Sequence, residues 1–154
     1  EIIVPHFYEE AFLHFHPELK AFHHFLYGLY YIEKNEHLSS YYEFKKAKTF
    51  SLSPIFEAKA NYNIAYNLNR LFVFKASCQY VKLAYEQYLK LHDWYRTATC
   101  YNLLAVNYKS LQRYREALLY IEKGKNLLSY ERETPLLTML IHNEAIIYLK
   151  EIRY

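Results

Sequence analysis

Apolar residues recur at helical spacing along most of this chain, with polar residues on the opposite faces. Tyr114, Ala117, Leu118, Ile121 and Leu128 fall on one stripe, which predicts a helix over 114–129. The same pattern predicts helices over 18–34, 37–50, 54–70, 73–92 and 94–111, and a leading helix over 5–16 stopped by Pro17. Pro54 opens the 54–70 helix with Ser53 as its N-cap, since proline fits the first helical position and serine can accept a free backbone N–H. Thr134 and Pro135 open a last helix that runs to about residue 152. The connections are short throughout. The expected fold class is all-α, with about seven or eight antiparallel helices.

The pattern also repeats. At an offset of 40, Ala65, Ala105 and Ala145 coincide, followed three residues later by Leu68, Tyr108 and Tyr148. Ser77 matches Ala117, Val81 matches Ile121, and Ala84 matches Gly124. An offset of 37 from Ala65 reaches Gly28, with Tyr31, Ser40, Phe44 and Ala47 in the same register. In the clearest copy, Tyr101, Leu104, Ala105 and Tyr108 are followed by Tyr114, Ala117, Ile121 and Gly124. This copy resembles the tetratricopeptide repeat, W-x2-L-G-x2-Y followed by A-x3-F. Paired antiparallel helices, A and B, approach closely only where small residues sit at the crossing, and both glycines fall at such positions.

The resemblance implies a right-handed α-solenoid forming a single repeat domain over 1–154. Its copies would span about 18–53, 54–93 and 94–133, with a terminal helix over 134–154. The array is divergent. Its period of 37 to 40 exceeds the usual 34, Ser129 replaces a closing proline, and Asn61 and Glu144 stand where apolar residues are preferred.

Composition supports a helical core. Hydrophobic residues make up 53% of the 154 and aromatic residues 19%, which excludes disorder. With two glycines, neither a hairpin-rich β-architecture nor a phosphate-cradling loop is available. A net charge of +3 is too weak to imply nucleic-acid binding. The charge is uneven, −4 over residues 1–40 and +4 over 41–80, and reads as a solvated basic face. Cys78 and Cys100 sit inside helical patterns, as small core residues of a reducing compartment. There is neither a signal peptide nor an apolar run of about 18 residues, so a cytoplasmic protein without membrane contact is expected. The chain starts at Glu1 rather than methionine, so an upstream domain is expected outside it.

In a tetratricopeptide array the A helices line the concave surface. Carried onto this chain, the groove positions are Tyr62, Asn63 and Tyr66, then Asn102, Leu103 and Val106, then His142, Asn143 and Ile146, with Asn67 and Asn107 one step along. The peptide-binding set expected from these is Tyr62, Asn63, Tyr66, Asn102, Val106, His142 and Asn143. Asparagine carries a donor and an acceptor on one amide and can bond an extended backbone without reading its sequence. The tyrosines would supply apolar pockets. The set is not basic, so the carboxylate clamp of chaperone-binding repeats is not expected.

The long-helix run Y-N-L-L-A-V-N-Y (101–108) followed by Y-R-E-A-L-L-Y-I-E-K-G (114–124) resembles the C-terminal sensor domains of Gram-positive peptide-pheromone regulators, the Rgg, Rap and PlcR-like proteins. The resemblance implies a peptide-sensing domain of a transcription regulator that binds a short signalling peptide on its concave face. DNA would then be contacted only through the missing N-terminal domain. The alternative is a passive scaffold that binds a protein partner.

No catalytic constellation competes with this reading, and neither an enzyme activity nor a cofactor is expected. Six of the eight histidines lie in the first 37 residues: His6, His14, His16, His23, His24 and His37. Their spacing does not gather them on one helix face, and no H-E-x-x-H is present, so no metal site is expected. The last helix carries too many apolar residues for one buried stripe. Ile146, Ile147, Leu149 and Ile152 are the expected homodimer interface, because an uncapped terminal repeat exposes its stacking surface.

Overall fold

The computed structural model describes residues 16–51, 53–128 and 134–152. Among the described residues seven helices follow one another: α1 (Pro17–Glu33), α2 (His37–Phe50), α3 (Pro54–Arg70), α4 (Phe74–Lys90), α5 (Trp94–Ser110), α6 (Tyr114–Leu127) and α7 (Pro135–Ile152). There is no strand among the described residues. Each helix packs on the next, most extensively within the pairs α1–α2, α3–α4 and α5–α6. The result is an all-α repeat stack in which α1, α3, α5 and α7 take the A position. Each predicted helix from residue 17 onward is present, with ends within two residues of expectation. Residues 5–15 of the leading helix, with His6 and His14, and Ser129 lie outside the described residues, and His16 is the extended N-cap residue of α1. No helix among the described residues is long and apolar enough to cross a membrane.

Local chemistry fixes the helix starts. Pro17, Pro54 and Pro135 each occupy the first turn, where proline's missing N–H costs nothing. Asp93 caps α5 by accepting the Arg96 backbone N–H at 3.0 Å, and the Thr134 hydroxyl accepts the Leu137 N–H at 3.2 Å. Ser53 does occupy the N-cap position of α3, but its side chain makes no capping bond.

The tight turns share one construction. Asn35, Phe72, His92 and Gln112 take φ near +60° between successive helices. After each of them the next N–H reaches back five residues, as in Val73 to the Leu68 carbonyl at 2.8 Å and Arg113 to the Tyr108 carbonyl at 2.8 Å. This is the Schellman closure, which normally favours glycine at the left-handed residue. Here the glycines serve a different need. A Cβ on Gly28 would lie 2.7 Å from the ring of fully buried Phe44, and one on Gly124 would lie 3.0 Å from Leu140. Both glycines therefore sit where helices cross.

The core runs through the stack as Val81, Leu104, Ile121, Leu140 and Ile147, with Phe44, Ile64 and Leu68 beneath α1. Buried polar staples tie the pairs together. The Ser40 hydroxyl donates to the Gly28 carbonyl at 2.8 Å and accepts from Asn67 Nδ2 at 2.8 Å. Ser77 repeats this with the Ala65 carbonyl at 2.7 Å and Asn107 Nδ2 at 2.8 Å. At the third occurrence both partners are apolar and fully buried, as Ala117 and Ile147. Replacing both members together leaves no orphaned polar atom.

The departures from the repeat pattern are also satisfied. Buried Asn61 accepts from Lys48 Nζ at 2.9 Å and donates to Gln87 at 3.2 Å, and Glu144 pairs with Lys125 at 2.9 Å.

Candidate functional site

Three residues before the small residue of each A helix stand Phe25, Tyr62, Asn102 and His142, and Asn143, one step on from His142, bonds back to Asn102 to continue the ladder. Beside this ladder a cavity of about 570 Å³ opens among α1, α3, α4 and α5, within the range that holds small ligands. Phe25, Tyr62, Tyr88 and Tyr95 supply aromatic wall, and Lys59, Asn63, Asp93, Arg96 and Thr99 supply polar groups.

Two residues of the expected peptide-binding set, Tyr62 and Asn63, line this cavity. Burial pushes the Tyr62 phenol well above its ordinary pKa, so it stays a neutral hydroxyl. Asn63 gives one N–H to the Lys59 carbonyl at 2.9 Å and keeps its side-chain oxygen as an acceptor. Asn102 and Asn143 lie further along the ladder, both buried, with Asn143 Nδ2 donating to Asn102 Oδ1 at 2.9 Å. Lys109 Nζ donates to Asn143 Oδ1 at 3.0 Å, and burial together with nearby Lys150 lowers the Lys109 pKa. Much of the bonding capacity expected to face a ligand is thus used between helices. Tyr66 and Val106 are half-buried, with the Tyr66 ring 6.1 Å from His37, and His142 is exposed. Asn67 and Asn107 are core staples rather than groove residues. His37 donates from Nδ1 to Asn67 Oδ1 at 3.0 Å, and Asn69 donates to Asn107 Oδ1 at 2.8 Å.

Sequence reasoning missed Lys59, Arg96 and Thr99. Lys59 and Thr99 each fall five residues after the start of their helix, one turn before the groove positions considered. Their spacing from Asn63 and Asn102–Leu103 was the available signal. Arg96 forms an ion pair with Asp93. Burial alone would raise the Asp93 carboxyl, but the Arg96 backbone N–H and guanidinium outweigh it and hold its pKa below the ordinary value.

Other chemistry is sparse. Burial pushes the thiols of Cys78 and Cys100 up, which makes them poor nucleophiles. No three metal-binding side chains gather among the described residues. On α7, Leu136, Leu140, Asn143 and Ile147 form the buried stripe. Ile147, expected at a dimer interface, therefore belongs to the core. Ile146 is half-buried, Leu149 is 63% exposed, and the side chain of Ile152 lies outside the described residues. Met139, Ile141, Ala145 and Tyr148 share the exposed side with Leu149.

No family model matches the chain. It is similar to Regulatory protein RapF of Bacillus subtilis (strain 168), with 27% identity over 130 residues. The match covers 81% of this chain and 34% of RapF, so the chain spans about a third of that protein's length.

Proposed function

We propose that this chain is the peptide-sensing, protein-interaction part of a regulatory protein, and that it binds a short peptide along the A-helix face. The observation that carries the reading is the aromatic and polar cavity at Tyr62, Asn63 and Thr99, placed on the repeated register of the A helices. Similarity to about a third of the length of a regulatory protein supports it. The aromatic wall would take one or two apolar side chains. The Asn63 oxygen, the Thr99 hydroxyl and the Asn102 N–H groups would pair with peptide backbone, so that no buried amide is left unmatched. A role in transcription would come through a DNA-binding domain outside this chain, with the peptide shifting the array between two curvatures.

The experiment is affinity selection from a randomised pentapeptide library, followed by calorimetric titration of the enriched peptides. Thr99→Trp fills the cavity and should weaken binding by about 1–3 kcal/mol while the helical circular dichroism is retained. An enriched peptide whose affinity ignores this substitution would move the site elsewhere.

A passive scaffold is the second reading. The unpartnered apolar side of α7 favours it, since exposed patches of this kind mark protein contacts. Self-association through that side gives the homodimer. A concentration-independent monomer in light scattering would contradict it.

A further inference from the structure

The cavity is cationic. Arg96 is neutralised by Asp93, whereas Lys59 on the facing helix lines the same cavity and has no ion-pair partner among the described residues. Lys59 still lies near enough to Asp93 to help lower its pKa, so two cations and one carboxylate share one half-enclosed space. The remaining wall is aromatic and the remaining polar groups, Asn63 and Thr99, are uncharged. A cation beside low-dielectric walls attracts an anion more strongly than it would in open solvent. Of the anions a peptide can offer, a carboxylate beside an apolar side chain matches both the charge and the aromatic surface.

We propose that Lys59, with the outer edge of the Arg96 guanidinium, binds a carboxylate of the peptide, and that the neighbouring side chain of that peptide packs against Phe25, Tyr62 and Tyr95. These cations stand off the ladder formed by Tyr62, Asn102 and Asn143, so they fix the end or register of a peptide whose backbone runs along that ladder. The carboxylate comes from the free C-terminus or from an aspartate or glutamate side chain. The inference rests on the peptide-sensing reading and adds the chemical class of what is sensed.

The test uses the full chain and four pentapeptide libraries: free acid or C-terminal amide, each with and without a fixed internal aspartate. N-acetyl-phenylalanine and its amide serve as small probes, read by amide chemical shifts at Asn63 and Thr99. Wild type should prefer carboxylate-bearing peptides by about ten- to a hundredfold, the gain of one charge-assisted contact. Preference for the free acid would assign the C-terminus, and preference for the aspartate library would assign a side chain. Lys59→Met keeps the aliphatic stem and should abolish the preference while leaving amide peptides bound. Peptides that bind with no carboxylate preference, or a preference that survives Lys59→Met, overturn the inference and leave the peptide reading standing. N-acetyl-phenylalanine shifts that its amide does not reproduce, in the absence of any peptide binding, support the carboxylate site and overturn the peptide reading. Failure of every probe overturns both.

Discussion

Asn107 donates to the Ser77 hydroxyl at 2.8 Å while that hydroxyl donates to the Ala65 carbonyl at 2.7 Å, so one short chain of bonds joins α3, α4 and α5. Removing one member strands the other in the core. Asn107→Ala should therefore cost about 1–3 kcal/mol. The combination Ser77→Ala with Asn107→Ile reproduces the apolar third occurrence and should recover a large part of that loss. Urea denaturation of Ser77→Ala, Asn107→Ile and their combination closes the cycle. Strict additivity would contradict the coupling.

Gly28 and Gly124 make opposite demands on a methyl group. Alanine gains about 1 kcal/mol over glycine in helix propensity, but overpacking a filled core costs about 1–3 kcal/mol. At Gly28 the new methyl meets the fully buried Phe44 ring at 2.7 Å. Gly28→Ala should be net destabilising and should regain stability with Phe44→Leu. At Gly124 the contact is with the tip of Leu140 at 3.0 Å, which can shift. Gly124→Ala should be close to neutral. Equal thermal shifts at the two sites would remove the Phe44 clash from the account.

Phe72 combines a positive φ of 63° with 80% exposure, so its ring adds little packing to offset a left-handed backbone. Phe72→Gly should stabilise the chain by about 1 kcal/mol, raising the melting temperature. A fall would mean that the ring makes a contact worth more than the backbone relief.

Asp93 predicts an acid limb. Its carboxyl pKa is lowered from an ordinary value of 3.8. The stability it contributes is thus fully present above about pH 4 and is lost as the pH falls through the folded value. Asp93→Ala should cost about 0.5–2 kcal/mol at neutral pH, because the Arg96 N–H loses its cap and the guanidinium its partner. The difference between variant and wild type should shrink toward pH 2 in stability measurements. A difference that stays constant across this range would assign the loss to packing alone.

The helices were legible because apolar periodicity agrees with the opening prolines Pro54 and Pro135, while Pro17, read as the stop of a leading helix, opens α1. The chemistry of the asparagines was less so. Sequence spacing puts Asn102 and Asn143 on the concave face and Asn67 and Asn107 just past it. It does not reveal that Ser40 and Ser77 lie within bonding distance of the latter pair, because those contacts span 27 and 30 residues. Lys59 and Arg96 escaped notice for a similar reason. Each looks like an ordinary solvated helix cation until α3 and α5 are laid side by side. On α7, surplus hydrophobicity correctly signals an exposed apolar side. Which residues face out depends on the register against α6, and that register buries Ile147.

The central claim is that the A-helix face around Tyr62 and Thr99 is the ligand-binding surface. Heteronuclear NMR titration with a selected pentapeptide tests it most directly. The account predicts chemical-shift changes concentrated at residues 59–63 and 95–99, fading along the ladder toward Asn143. Changes confined to the Met139–Leu149 side of α7, with the cavity residues silent, would contradict it.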